Sequence, residues 1–213
     1  MGTQYVDTLV ISTNPCLSIK FQGINGVPDT VFRVSDREAV DIWKSEESTK
    51  YEANEAEIEK TVEKLRQYLE NRELEIGTLK VKLFDGDFSD RKKYIIKIES
   101  VILLSLLQIM LHNLNHQLSV ENFEIDYTGK QDEVMCILPF LKAGHLKSLI
   151  LKNHSKFQCS EISELEQWKE LEYLHIDFLP AKTGIEHFWD IPSVSIWKSE
   201  LARKEIQMLV LVS

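Results

Sequence analysis

Four stretches of the chain put apolar residues on one template, apolar-x-x-apolar-x-apolar. They are Ile76-x-x-Leu79-x-Val81, Val120-x-x-Phe123-x-Ile125, Leu146-x-x-Leu149-x-Leu151 and Leu171-x-x-Leu174-x-Ile176. The last three begin 26 and 25 residues apart, and the first precedes the second by 44. Within each stretch the closing alternation has the period of a strand with one apolar face.

Between these stretches the period is helical. Ile58, Val62, Leu65 and Leu69 step by four, three and four, which lines one face of a helix. The opposite face carries Glu55, Glu59, Glu63 and Glu70 among Lys60, Lys64 and Arg66, and reads as solvated surface. "VILLSLLQIML" (101–111) is about half the length needed to span a bilayer, so a buried helix is expected. That helix accounts for the longer first spacing. "QDEVMCILPFLK" (131–142) predicts a further helix with acids at its start, bent or shortened by Pro139. "SEISELEQWK" (160–169) predicts another, with Ser160 as N-cap, Ser163 as the second choice, and Ile162, Leu165 and Trp168 as its apolar face. Nearer the N-terminus, Leu17, Ile19 and Phe21 alternate with polar neighbours, "GINGVPD" (23–29) supplies turn residues, and "VFRV" follows.

Spacing in the twenties with one strand and one helix per unit is the leucine-rich-repeat range. No single unit can bury its apolar face, so neighbours must stack to close a core. The expected fold is α/β: an open, leucine-rich-repeat-like solenoid with a mostly parallel sheet and helices on one face. An N-terminal β hairpin or meander with an acidic linker (1–50) precedes the strand–helix repeat domain (51–213).

Composition narrows the function. The chain has 213 residues, 43% hydrophobic and 28% charged, with net charge −9, the profile of an ordinary globular protein. That charge argues against nucleic acid, whose binding rests on Lys and Arg neutralising phosphates, and against an anionic membrane surface. "MGTQYVDTLV" has neither the basic start of a signal peptide nor the Ser or Thr at position 6 of a myristoylation signal. Cys16, Cys136 and Cys159 are odd in number and widely spaced, which fits reduced, structural thiols. A cytoplasmic or nuclear protein is expected.

Three longer stretches carry a resemblance. "LNHQLSVENFEIDYTGKQDEVMCILPFLKAGHLKSLIL" (114–151), "SEISELEQWKELEYLHIDF" (160–178) and "FWDIPSVSIWKSEL" (188–201) resemble the nematode FTH domain. The resemblance covers about residues 51–213, and the order "ILPFLK", "LEQWK", "LHI", "SIWK" carries it. It implies a leucine-rich-repeat-like fold used for protein–protein contact. In the family this domain follows an F-box that binds the Skp adaptor of a cullin ubiquitin ligase, and it is thought to present the substrate. Residues 1–50 hold no Leu-Pro and read as strands and turns, so no F-box is recognisable and the Skp contact loses its support. The binding role stands.

Candidate chemistry is sparse. His112 and His116 in "HNLNH" sit one helical turn apart, but Asn113 stands where a zinc protease needs Glu, and no third ligand is evident. Asp85, Asp87 and Asp90 in "FDGDFSDRKK" outline a calcium loop with a misplaced Gly and Ile96 at the twelfth position, so an acidic turn is expected. "NHS" at Asn153 fits a glycosylation sequon without a secretory signal. There is no Gly-x-Ser-x-Gly elbow and no phosphate-cradling loop. No catalytic residue, cofactor or metal is expected.

If the apolar grid points inward, its strand neighbours point out. They are Thr78, Lys80 and Lys82; Asn122, Glu124 and Asp126; Ser148, Ile150 and Lys152; Tyr173, His175 and Asp177. Lys80, Lys82, Glu124, Asp126, Lys152, Tyr173, His175 and Asp177 form the candidate partner-binding face. Tyr173 and His175 supply planar rings of the kind enriched at recognition surfaces. Four strands span only about 14 Å, so loops or the N-terminal hairpin must enlarge the face. The leading expectation is a non-enzymatic protein-interaction module, with substrate recognition for ubiquitin ligation as its family context. An enzyme whose pocket the sequence does not display, and a family member without activity, are the alternatives.

Overall fold

A computed structural model of the chain describes residues 4–12, 18–22, 30–33, 55–83, 98–153, 157, 159–179 and 186–198. Its strands are β1 (Gln4–Ser12), β2 (Ser18–Gln22), β3 (Thr30–Arg33), β4 (Leu74–Lys82), β5 (Ser119–Tyr127), β6 (Ser148–Asn153), β7 (Tyr173–Leu179) and β8 (Ser193–Lys198). All eight lie in one sheet, in the order β3-β2-β1-β4-β5-β6-β7-β8. β1, β2 and β3 pair antiparallel, the hairpin-and-meander expected near the N-terminus. β1 then pairs parallel with β4, and every later pair is parallel. The first strands and the repeat strands therefore share one sheet.

The apolar grid explains the register. Leu9, Leu79, Phe123, Leu149, Leu174 and Val194 are successive partners in one cross-strand row, and Phe21 pairs with Leu9 at its end. Ile19, Ile11, Val81, Ile125, Leu151, Ile176 and Ile196 form the next. Two flanking copies of the template, Val6-x-x-Leu9-x-Ile11 and Ile191-x-x-Val194-x-Ile196, continue the four found by spacing. A slip by one residue would turn each apolar set to the wet side, so burial pins the pairing. The three-residue step at the head of each unit departs from period two, but every unit makes the same departure. At that step Gly77 passes under Tyr5: a Cβ there would lie 2.4 Å from the Tyr5 hydroxyl and 2.8 Å from the Asp7 carbonyl oxygen.

Helices α1 (Glu55–Leu69), α2 (Ile98–Asn113), α3 (Gln131–Met135) and α4 (Glu166–Lys169) connect the strands, with 3-10 turns at Leu138–Phe140, Ile162–Glu164 and Glu186–Phe188. Val62, Leu65 and Leu69 of α1 and Leu103, Leu107 and Met110 of α2 share one core cluster with the grid residues. Tyr68 of α1 lies against Phe21 with ring centroids 4.7 Å apart. On the wet side of α1, Arg66 bridges Glu63 and Glu70.

Three expectations change. The 131–142 stretch is not one bent helix: α3 ends at Met135, and Pro139 sits inside the 3-10 turn that follows. Likewise 160–169 splits into a 3-10 turn and α4. Leu165, neither Ser160 nor Ser163, stands at the α4 N-cap, with no side-chain cap bond. Units of about 25 residues leave room for only a turn or two on the helical side. Finally, α2 is buried on one face only, since Val101 and Ile109 remain 53% and 59% exposed. "GINGVPD", the acidic 36–50 stretch, Leu17 and Cys16 lie outside the described residues, as does the side chain of Ile58.

Polar side chains clamp neighbouring units on the helical side. The buried Gln167 amide donates to the Leu141 and Pro139 carbonyls at 2.7 and 3.2 Å. The Trp168 indole N–H donates to the His187 carbonyl at 3.0 Å. Asn153, 2% exposed, donates to the Phe178 carbonyl at 2.6 Å and accepts from its N–H at 3.1 Å, tying β6 to β7. The sequon at Asn153 is thus a strand clamp whose amide is already engaged.

Replacing Leu149 or Leu174 by Ala should cost roughly 2–5 kcal/mol in chemical denaturation, and Val194→Ala much less, because Val194 is already 37% exposed. Conversely, the fully buried Tyr127 hydroxyl has no hydrogen-bond partner among the described residues. Tyr127→Phe should therefore leave the unfolding midpoint unchanged or raise it, since an orphaned buried hydroxyl carries its desolvation cost without return.

Candidate functional site

The outer face of the sheet is ordered in rows, because residues between the grid positions are in register too. Gln22, Thr8, Thr78, Asn122, Ser148, Tyr173 and Ser193 form an uncharged hydroxyl-and-amide row across seven strands. Lys20, Val10, Lys80, Glu124, Ile150, His175 and Ser195 form the next. In the third, Lys82, Asp126 and Lys152 are consecutive partners, alternating in sign. Asp177 follows His175 by one outward position on β7 and acts electrostatically on Lys152.

Glu124 is the electrostatic centre of this face. Its two carboxylate oxygens accept from Lys80 at 2.9 Å and Lys152 at 2.6 Å, one from each neighbouring strand. Burial alone would raise the Glu124 carboxyl, but the hydrogen bonds and charges of Lys152 and Lys80 hold it below its ordinary value. The Lys152 ammonium is raised in turn, first by its bond to Glu124, with Asp177 and Asp126 adding to it. On β7, His175 Nε2 lies 2.7 Å from Asp177 Oδ1, and Nδ1 lies 3.1 Å from Ser195 Oγ on β8. Asn122 donates to the Gly77 carbonyl at 2.8 Å.

All eight candidate side chains thus lie on this one face. Sequence spacing missed its flanks on β1, β2 and β8: Thr8, Val10, Lys20, Gln22, Ser193 and Ser195. The signal was present, since both flanking grids fit the template, but Val6 stands far ahead of the first regular spacing.

A family model of the FTH domain matches residues 102–210, just over half of the chain. The chain belongs to the FTH-domain family. In general terms, that membership marks an F-box-associated protein-interaction module. No curated protein and no solved structure matches the chain. In this FTH domain the diagnostic motifs are physically joined: Gln167 of "LEQWK" grips the carbonyls of "ILPFLK". Trp168 bonds His187 and lies with its ring centroid 5.8 Å from that of Phe188, just ahead of "SIWK". Gln167 and Trp168 thus act as clamps between neighbouring units.

The remaining candidates of this FTH domain resolve into structure. His112 lies in the last turn of α2, edge-on to Phe140 with ring centroids 6.3 Å apart, and His116 lies 3.2 Å from Asn115 Oδ1. No group of three or more metal-ligating side chains converges among the described residues. Asp85, Asp87 and Asp90 lie outside them. Cys136 and Cys159 are free thiols, and burial pushes Cys159 up to about 11. At the strands' N-terminal rim, a hollow of about 220 Å³ lies among Tyr5, Glu75, Glu121, Gly144, His145 and Lys147. No helix among the described residues is long and apolar enough to cross a membrane.

The lowered Glu124 carboxyl contributes stability that is complete above its unfolded value and is lost as pH falls through the folded one. Acid titration of unfolding should therefore show Glu124→Gln losing its disadvantage against the parent as pH drops below the ordinary glutamate range. A constant difference across that range would contradict the pairing.

Proposed function

We propose that this FTH domain is a non-enzymatic docking module that holds a protein partner against the outer face of a leucine-rich-repeat-like solenoid. The observation that carries the reading is the in-register lattice of outward side chains. At about 4.8 Å per strand the eight-stranded sheet spans about 34 Å. With β1, β2 and β8 added, the face approaches the roughly 20–30 residues a side that a stable interface needs. Its charges largely offset one another: the four lysines Lys20, Lys80, Lys82 and Lys152 stand with the three carboxylates of Glu124, Asp126 and Asp177, while the whole chain carries −9. A compensated surface selects by shape and by hydrogen-bond position more than by bulk attraction, which favours a folded protein over nucleic acid or an anionic membrane. The family context makes substrate recognition for a cullin-type ubiquitin ligase, in cytoplasm or nucleus, the role we assign.

One observation favours a different reading. Ser195, His175 and Asp177 form a hydrogen-bonded chain of the residue types used in serine hydrolases. Against it, the chain lies on an open sheet face, and the 220 Å³ hollow, itself smaller than a typical ligand pocket, is lined by other residues. Labelling of Ser195 by a fluorophosphonate probe would favour that reading.

The docking reading is tested by capture from nematode lysate with matched baits. Tyr173→Ala and His175→Ala should reduce recovery of a client about thirtyfold or more, the size of an interface hot-spot loss, with Tm nearly unchanged. Recovery equal to that of the parent would remove the outer face from the mechanism.

A further inference from the structure

At the centre of the outer face polar side chains bond one another. Glu124 takes Lys80 and Lys152, His175 takes Asp177 and Ser195, and Asn122 takes the Gly77 carbonyl. The hollow of about 220 Å³ at the strands' N-terminal rim is different. Among the described residues, the Tyr5 hydroxyl, the Glu75 carboxylate and the His145 ring that line it make no side-chain hydrogen bond, and Lys147 engages only one oxygen of Glu121, at 3.1 Å. The repeat explains how the hollow is built. The first variable position of the template holds Asp7, Gly77, Glu121, Lys147 and Glu172 in successive units. Gly77 alone of these has no side chain, and the space over it is taken by the Tyr5 hydroxyl, which an added Cβ would meet at 2.4 Å. A phenol is thereby laid over β4, in the same hollow as the Glu75 and Glu121 carboxylates.

We propose that this hollow takes the guanidinium of an arginine on the docked protein, an assignment that rests on the docking reading. Among the lining side chains carboxylates outnumber the ammonium two to one, whereas on the central face the lysines outnumber the carboxylates. A cation is therefore drawn to the rim rather than to the centre. Arginine fits the lining better than lysine. Its planar fork bonds carboxylates two at a time and stacks on aromatic rings, while a lysine ammonium is a compact, strongly hydrated point charge. The hollow is too small for an ordinary ligand, which suits a single side chain entering from a docked surface. It also adjoins the outer face, because Asn122 of the hydroxyl-and-amide row bonds the carbonyl of Gly77. Groups that the fold leaves unpaired thus converge where a partner would arrive.

Titration of the full chain with N-acetyl-arginine N-methylamide, followed by amide NMR shifts, tests the subsite. Saturable shifts should centre on Tyr5, Glu75, Gly77, Glu121 and His145, and the uncharged citrulline analogue should produce none. Glu75→Gln should weaken binding about fivefold, the upper end for an exposed ion pair. Glu73→Gln, which removes the same charge just ahead of β4 but outside the hollow, should leave binding unchanged. In the matched capture, Glu75→Gln should lower client recovery by a similar factor. Equal weakening by both variants would reduce the effect to bulk charge, and binding of the citrulline analogue would reduce it to shape; either overturns the proposal. Absence of saturable shifts would overturn it too, while the capture results for Tyr173 and His175, which lie outside the hollow, judge the docking reading separately. A positive titration with unchanged client recovery would assign the hollow to a free guanidinium compound and overturn its role in docking.

Discussion

Every other feature of this molecule depends on the lateral continuity of its apolar rows. A strand in a parallel sheet gains little from an isolated neighbour. When Leu9, Leu79, Phe123, Leu149 and Leu174 stand side by side, each covers the next, and the helical layer closes over all of them. Register follows from burial, because a one-residue slip would expose the whole set. The outer face inherits that order without needing interactions of its own.

On that inherited order the polar side chains organise themselves. Glu124 is placed between two lysines because β5 lies between β4 and β6, and the core fixes that placement. The resulting ladder draws its attraction from part-buried groups, where screening is weaker than on open surface. Matching the charges within the face keeps a partner from having to neutralise isolated lysines. The same compensation gives pairing specificity between strands, since like charges directly opposite would repel.

The helical side is economical for a reason of length. Units of about 25 residues cannot hold a full helix beyond strand and turns, so short helices and 3-10 turns replace it. Side-chain-to-backbone bonds from Gln167, Trp168 and Asn153 supply the satisfaction that long helices would otherwise provide internally. Gln167 and Trp168 of "LEQWK" each meet carbonyls of the adjoining unit.

The sequence by itself determined the strands that repeat, the inward and outward sets on each, and the helix through Ile58, Val62, Leu65 and Leu69, because period and burial are written in local alternation. It left three things to the tertiary structure. Whether Val6 and Ile191 head further units depended on β1 coming beside β4 and β8 beside β7, a long-range pairing that spacing does not encode. Whether Gln167 reaches Pro139, or Asn153 reaches Phe178, required neighbouring units to be stacked first. And the meaning of Lys80, Glu124 and Lys152 as one ion ladder, rather than three scattered charges, arose only when parallel register set them about 4.8 Å apart, a distance that no separation along the chain can express.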